Sequence, residues 1–570
     1  MIFLQYRRKI LRYCLVKRYI DKYDLKWYNL SCSKMHKIIY LESDRMKNNR
    51  IHYIKNTFLP LVVFSLVTGV ATGVVIFLFK LASSEVISLS HKIYEYVGMN
   101  PAFIPLLLLG AAFLGLLAAN ILHVAPEARG GGIPSAITVL QGYVPVEKII
   151  GLPMVFLSSL ISYLGGVPLG TEGPSVQMGT LIGGVVSRTL GKKAPAWRRY
   201  IMTGGACAGF AAATGGPLTG ILFAFEEAHR RFTPMIFMSA SMTVAVCAAT
   251  MEVLCGFAGI SPKLFHFEMK AVMELKYVWI SLLIGLVCGL FAIAFTKIYG
   301  KLRKLLTKCF DKVWFAWRIV IIFVAVALVG VISYDMIGSG HHNIDLLLEG
   351  EGVFYLLILF LLIRIILIMV SNIEGVTGGL FIPCLAIGAT LGFLCGKAMI
   401  ALGVLPEEYL VIAVVIGMCS YLAASSRIPL TAMVFSVEVL SGIHNLLPIA
   451  IGVAVSYAVI EVVGIHDFID AVIEKKIDAF NKGREMIEMD VELIVKENSF
   501  VVGREVRDIL WPPSCVIVSI LHDPVVQGNT GISVGDLIRV HYRTTHPHYI
   551  ARKLEDLVGE QTEPEQITEQ

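Results

Sequence analysis

Charge is scarce in this chain: Asp, Glu, Lys and Arg together make up 16% of its 570 residues, against 56% hydrophobic ones. No water-soluble fold can hide so much apolar surface under so few charges, which excludes a soluble protein. The short alternating segments that build a transmembrane barrel are missing too. Instead, continuous apolar stretches near the ~20 residues needed to cross a bilayer recur from Phe58 to Gly464, among them Phe58–Phe79, Phe103–Leu122, Val278–Phe295 and Ile319–Ile332. The eleven cysteines form no C-x-x-C pair, and Cys207, Cys247, Cys255, Cys288, Cys309, Cys384, Cys395 and Cys419 lie in or beside apolar stretches, as small apolar residues would. An intramembrane enzyme would need a nucleophile with its base, or H-E-x-x-H on a helix, and neither is present. The adjacent His341 and His342 lack a third ligand nearby and are expected to be a loop feature rather than a metal site. No cofactor is expected. No removable signal peptide is expected either, because no basic region, short apolar core and small-residue cleavage site follow one another.

What charge there is, is unevenly placed. Residues 1–57 carry 14 Lys/Arg against 4 Asp/Glu, leaving 35 basic and 39 acidic residues beyond. Basic flanks stay on the cytoplasmic side, so the N-terminus is expected inside. The cluster Arg7, Arg8, Lys9, Arg12, Lys17 and Arg18 is read as a topology signal, not as a nucleic-acid surface. Met1, Met35 and Met46 are alternative starts.

The membrane region contains a duplication. Cys207 to Glu226 (CAGFAAATGGPLTGILFAFE) aligns at a constant offset of 212 with Cys419 to Glu438 (CSYLAASSRIPLTAMVFSVE), sharing Cys, Ala-Ala, Pro-Leu-Thr, Phe and Glu. At offset 209, Gly173–Gly179 answers Ile382–Gly388, each stretch opening an apolar helix. Halves of this kind in transporters are commonly related by a pseudo-twofold, and inverted halves bring broken helices together near the bilayer midplane.

Three Gly/Pro-interrupted segments stand before apolar runs: Gly130-Gly131-Gly132-Ile133-Pro134, Gly170-Thr171-Glu172-Gly173-Pro174 and Gly378-Gly379-Leu380-Phe381-Ile382-Pro383. Proline suits the first helical turn, whose N–H groups have no intrahelical partner, and glycine lets the preceding backbone bend and approach a ligand. Each segment therefore predicts a helix N-terminus, and such ends in a low-dielectric layer hold an anion through unpaired N–H groups without a full cation. Taken singly, each could be an ordinary kink or helix contact. Three together, two at matching places of a duplicated frame, point to one anion site.

Glu172 lies inside the second segment, in a stretch too apolar for an idle carboxylate. Ionised, it would compete for the same positive helix ends; protonated, it would leave, which couples anion occupancy to a proton. Glu226 and Glu227 end the apolar run from Pro217 and precede His229, Arg230 and Arg231. Glu226 matches Glu438 in the second copy and reads as shared scaffold, whereas Glu227 matches Val439. Glu227 is either an interfacial partner of Arg231 at i,i+4 or a site of proton uptake present in one half only.

In order, these motifs resemble the CLC family of chloride channels and chloride/proton antiporters, over about residues 57 to 475. The family patterns GSGIP, GREGP and GxFxP stand here as GGGIP (Gly130–Pro134), GTEGP (Gly170–Pro174) and GLFIP (Gly379–Pro383). The resemblance implies an all-α polytopic membrane protein of about eighteen helices in two inverted halves. It also implies a homodimer with one pore per subunit and dehydrated anions held by helix ends. By position it implies an external gating role for Glu172 and an internal proton role for Glu227, the latter similar to antiporters rather than passive channels. The anion site would comprise Gly130, Gly131, Gly132, Ile133, Pro134, Gly173, Pro174, Gly379, Leu380 and Phe381, with backbone amides of Leu380 and Phe381 as donors. Two hydroxyls of the family pattern are replaced. Gly131 stands for serine, and Ile469, counted without gaps from Pro448, stands where the family usually has tyrosine; Phe468, one position earlier, has no donor. Each lost hydrogen bond to a charged group removes on the order of 1.5–3 kcal/mol. Thr171 replaces the arginine of GREGP and removes a cation beside the gate.

After about Lys475 charged residues become frequent and no run is long enough to span. Strands are expected at Val491–Val495, Cys515–Leu521 and Asp536–Tyr542, and a short helix at Gly503–Leu510. This small α+β module resembles the TrkA-C domain through Val502–Asp508 and Ser533–Ile538, which implies a regulatory ligand-binding role, a domain that only supports dimerisation being the alternative. The expected organisation is a cytoplasmic leader (1–56), a transport domain of two repeats (57–475), a cytosolic module (476–560) and a polar tail without structure (561–570). The function expected is proton-coupled transport of chloride or a similar small monovalent anion across the inner cell membrane, both termini cytoplasmic. A passive voltage- or pH-gated anion channel is the alternative. Expected partners are the anion, protons, membrane lipids, a second copy of the chain and a small-molecule ligand of the module, with no nucleic acid.

Overall fold

The computed structural model describes residues 58–570 except 131, 146–149, 191–194, 266–268, 270, 311, 351, 466–467, 498, 522–524, 560 and 567–570. The basic leader with its alternative starts, and Gly131, lie outside the described residues. Eighteen α-helices are present among those residues, seventeen of them before the sheet. Nine are long and apolar enough to cross a membrane. The first half contains α1 (Leu59–Met99), α2 (Ile104–Val124), α3 (Ile133–Leu140), α4 (Gly151–Leu164), α5 (Glu172–Thr189), α6 (Arg198–Thr214), α7 (Pro217–Phe223) and α8 (Pro234–Ala258). The second contains α9 (Ile280–Phe310), α10 (Phe315–Ile332), α11 (His341–Leu348), α12 (Phe354–Glu374), α13 (Phe381–Ala401), α14 (Leu410–Ser426), α15 (Pro429–Glu438), α16 (Leu446–Val463) and α17 (Phe468–Asn481). From Val62 onward these helices and the sheet form one compact unit.

Several helices are too short to span. The 8 residues of α3 and 7 of α7 place helix ends inside the apolar layer, where exposed backbone groups are tolerated only when protein surrounds them. The duplicated segments build α5–α6–α7 and α13–α14–α15, and matching glycines make matching contacts. A methyl on Gly179 would lie 2.1 Å from the Gly205 carbonyl oxygen, and one on Gly388 2.5 Å from that of Gly417. Only small residues let the backbones of such helix pairs come this close.

The two glutamates shared by the repeats exchange places. Glu438, the last residue of α15, accepts the N–H groups of Leu218 and Thr219 (both 2.8 Å) and the Thr219 hydroxyl (2.7 Å) at the start of α7. Glu226, just after α7, accepts the N–H groups of Leu430 (2.8 Å) and Thr431 (2.6 Å) at the start of α15. Each repeat thus caps the other's helix. Because each helix ends where its counterpart begins, α7 and α15 run antiparallel, as inverted halves require. Glu438→Ala would take the acceptor from three α7 donors, two N–H groups and a hydroxyl, and a stability loss on the order of 2 kcal/mol is expected, read as a lower midpoint in thermal unfolding of the purified protein.

Four strands close the chain: β1 (Ile487–Ile494), β2 (Cys515–Ile520), β3 (Leu537–Thr544) and β4 (Gln561–Gln566), in the order β2-β3-β1-β4 with every pair antiparallel. α18 (Pro547–Leu557) packs Ile550, Leu554 and Leu557 onto Val491, Leu493 and Val540 of the sheet. Three expectations change here. The short helix at Gly503–Leu510 is only a 3-10 turn at Val506–Asp508, since the backbone around it pairs with the Gly528–Ile532 loop instead. The polar tail supplies β4, whose main chain pairs with the otherwise open edge of β1, a bond that does not depend on apolar side chains. His341 and His342 open α11 behind the left-handed Gly340, rather than lying in a loop. Of the cysteines named above, Cys207, Cys247, Cys255, Cys288, Cys384 and Cys419 are buried, while Cys309 is exposed and Cys395 half-buried.

Candidate anion and proton site

The three Gly/Pro segments meet. Gly170 and Gly379 exchange both backbone hydrogen bonds at 2.7 Å, joining the mouth of α5 to that of α13. The Gly170 carbonyl also accepts the Tyr163 hydroxyl at 2.8 Å. A methyl on Gly132 would lie 1.9 Å from the Gly173 carbonyl carbon, and one on Gly379 2.6 Å from the Gly173 nitrogen. At Gly132 the backbone also has a positive φ of 54°, so glycine is required there twice over. The loops behind the mouths are tied as well: Gly130 N–H donates to the Gly375 carbonyl (3.0 Å), and the Thr377 hydroxyl to that of Ala128 (2.8 Å). Ile133 and Pro134 form the first turn of α3, Gly173 and Pro174 that of α5, and Phe381 opens α13 behind Leu380. Unpaired N–H groups of three helix ends thus lie in one region without an intervening side chain at the glycines.

Glu172 is the first residue of α5 and is fully buried. Its carboxylate faces the backbone N–H of Ile382 in the first turn of α13. Oε1 accepts the Thr171 hydroxyl at 3.2 Å, and Oε2 has no hydrogen-bond partner. The carboxylate therefore stands at the N-terminal end of α13 as well as of its own helix. Thr171, which takes the place of a cation, supplies a neutral donor to that carboxylate.

A cavity of about 540 Å³ opens beside α3 and α17 on the face that carries the C-terminal module, with Gly130, Ser135, Tyr299, Asn372 and Lys476 in its wall. Lys476 reaches under α3, where Nζ donates to the Arg129 carbonyl (2.8 Å) and to the Ser135 hydroxyl (2.6 Å). Asn372 accepts the Tyr299 hydroxyl through Oδ1 (2.8 Å), while its buried Nδ2 has no partner. Arg129, Arg318 and Lys475 also line the cavity, against Glu127 and Glu374 as the acids. Beside the start of α3 this cavity thus carries full cations as well as a helix end. Ile469 is buried near the start of α17, and its neighbour Phe468 turns its ring to Phe295 (5.6 Å) and Tyr299 (6.1 Å) of α9.

Glu227 lies in a π-helical turn, Ala224–Ala228, closed by the His229 N–H to the Ala224 carbonyl at 3.1 Å. The extra residue in such a turn rotates side chains relative to an α-helix and often marks a functional position. Here it separates two adjacent acids: Glu226 faces the start of α15, and Glu227 is buried with 3% exposure. Aromatic contacts run from this turn to the mouth of α13. Phe223 stacks on Phe210 (5.2 Å), which meets Phe381 edge-on (5.0 Å), and Phe381 in turn meets Phe435 (5.4 Å). Nearby, Arg230 pairs with Asp470 (3.0 and 2.8 Å) and Arg231 donates to the Ile509 carbonyl of the module (3.2 Å).

Residues 110–461 match the model of a family described as voltage gated chloride channel, a span that covers more than half the chain. The chain belongs to this CLC family. Its fold is similar to that of a slow cyanobacterial Cl-/H+ antiporter at 22% identity, with a TM-score of 0.67 over 74% of this chain and 99% of that one. A eukaryotic CLC transporter matches at 22% identity and TM-score 0.62, over 74% of each chain. A CLC-type fluoride/proton antiporter matches at 22% identity and TM-score 0.58, over 70% of this chain and 95% of that one. Membership makes this CLC protein a membrane-embedded channel or transporter, not an enzyme. Among its polar groups, Lys476, Asn372 and Ser135 carry no motif. Lys476 could be found only by counting two helical turns on from Ile469, and Asn372 had no sequence signal.

Proposed function

We propose that this CLC protein exchanges chloride, or a similar small monovalent anion, for protons across the inner cell membrane, as a homodimer with both termini in the cytosol. One observation carries the reading: a fully buried carboxylate, that of Glu172, stands at the meeting point of three helix N-termini. An ionised Glu172 and a bare anion compete for the same N–H groups, so protonation of Glu172 frees the position for an anion. Glu227, near the module, takes up protons from the cytosol. Gly130 to Pro134, Gly173, Pro174 and Gly379 to Phe381 furnish the anion position, with Ile469 beside its inner end. Purified protein in liposomes tests the exchange: an imposed chloride gradient is expected to drive protons uphill, and failure to do so would leave a channel.

The channel reading has one observation in its favour. Ile469 brings no hydroxyl to the inner end of the site, so an anion there is held less firmly and coupling loosens. Lys476 offsets part of that loss. Attraction between unit charges 4 Å apart is about 4 kcal/mol at an effective dielectric of 20. Lys476→Met is therefore expected to lower chloride flux on the order of tenfold at low salt, less at high salt, in a liposome efflux assay. The C-terminal module, from the end of α17 onward, acts as a TrkA-C-like regulatory domain on this transport unit.

A further inference from the structure

The seam between the module and the transport helices is joined through one guanidinium. Arg199, in the first turn of α6, donates from Nε to the Leu140 carbonyl (2.8 Å) and from Nη2 to that of Gln141 (2.8 Å), the carbonyls that end α3. Its Nη1 reaches the Leu510 (2.9 Å) and Trp511 (3.0 Å) carbonyls of the module. A helix leaves its last carbonyls unpaired and partly negative, so a cation suits them, and only the planar fork of arginine serves two separate pairs of acceptors at once. Gly142 follows with a left-handed φ of 89°, and a methyl on it would lie 3.2 Å from the Lys553 ammonium of α18, 3.4 Å from Pro513 and 3.5 Å from the guanidinium carbon of Arg199. The module thus closes over the end of α3.

The side chain of Gln141 reaches a different element. Its Nε2 donates to the Ala228 carbonyl at 3.0 Å. Ala228 is the last residue of the π-helical turn and directly follows Glu227, and α3 packs against that turn. A carbonyl at the end of a turn has no helical partner of its own, so the glutamine amide supplies one. The 8 residues of α3 span only about 12 Å, and at the helix's other end lies the Gly132–Pro134 mouth, in contact with Gly173. One short helix therefore has the anion region at its start and a grip on the turn of Glu227 at its end.

We propose that Gln141 is a positioning residue for proton uptake: its amide holds the π-helical turn so that Glu227 keeps its buried orientation, and Arg199 makes that hold depend on the seating of the module. The inference rests on the proton role proposed for Glu227. Without the donor, the Ala228 carbonyl must find another partner, the turn relaxes towards α-helical register, and the side chain of residue 227 rotates with it. Anion flux is spared, because the ion meets the opposite end of α3.

The test uses the full-length protein in liposomes at pH 7.5, with the H+:Cl- ratio read from the reversal potential and chloride efflux measured beside it. Gln141→Met and Gln141→Glu remove the donor at similar size, whereas Gln141→His returns a ring N–H at the same reach. One neutral hydrogen bond shifts a conformational equilibrium on the order of fivefold, so both donor-free variants should lose about that factor in protons moved per chloride. Their chloride efflux should stay near wild type, which also shows that they fold, and Gln141→His should recover the ratio. Arg199→Lys, whose ammonium cannot serve both carbonyl pairs, should lower the ratio in the same direction. An unchanged ratio in the donor-free variants or in Arg199→Lys, or proton and chloride transport falling together, overturns the proposal. Glu227→Gln, run in parallel, separates the two levels. If wild type pumps no protons or Glu227→Gln keeps coupling, the exchange reading fails and this inference with it; if Glu227→Gln loses coupling while Gln141→Met and Gln141→Glu keep it, only the inference fails.

Discussion

Glu172→Gln is expected to abolish proton movement while anion flux continues. Each helix N-terminus carries about half a positive charge, and three such ends face one region where water cannot screen them. The carboxylate of Glu172, fully buried, stands against the backbone N–H of Ile382 in the first turn of α13. Glutamine has the same size but no charge, so it cannot compete with chloride for those N–H groups and cannot carry a proton. The measurement is chloride-driven proton pumping by the variant in liposomes, with chloride efflux recorded in parallel. Undiminished pumping would remove Glu172 from the proton path. Because the carboxylate is also the proposed pH-sensitive group, the pH dependence of flux should flatten in the same variant.

Glu227→Gln is expected to remove proton transport and to spare most anion flux, for a different reason. Glu227 is buried in the π-helical turn, and the ring of Phe223, just before that turn, leads through Phe210 to Phe381 at the mouth of α13. Without a carboxylate at its inner end, that path has no group to load. The control is Arg231→Gln. If Glu227 only holds Arg231, both variants should show the same effect and coupling should survive in each. Loss of proton transport in Glu227→Gln alone supports proton uptake, whereas normal coupling in it returns Glu227 to an ion-pairing role.

Much of the site could be read locally. The three mouths are helix starts because proline in a first turn and glycine before it are properties of a few consecutive residues. The offset of 212 separates Glu226 from Glu227 by alignment alone, and the exchange of caps between α7 and α15 gives that alignment its physical meaning. Elsewhere local reading fell short. The tail looked unstructured because its side chains are polar, yet β4 needs only main-chain partners at the edge of β1. The π-helical turn at Ala224–Ala228 has no composition cue, since it follows from how α7 must meet its neighbours.

From the chain of residues alone came the membrane class, the duplication, the helix starts and the two acids, because each depends on apolar length or on backbone preferences within a few residues. Tertiary structure alone decided that the three starts converge, that Lys476 and Asn372 share a cavity with the start of α3, and that Lys553 meets Arg198 and Arg199 at the seam. Those encounters join residues up to several hundred positions apart. No local preference encodes such a distance; close contact of glycine-lined helices, and the docking of one domain on another, sets it.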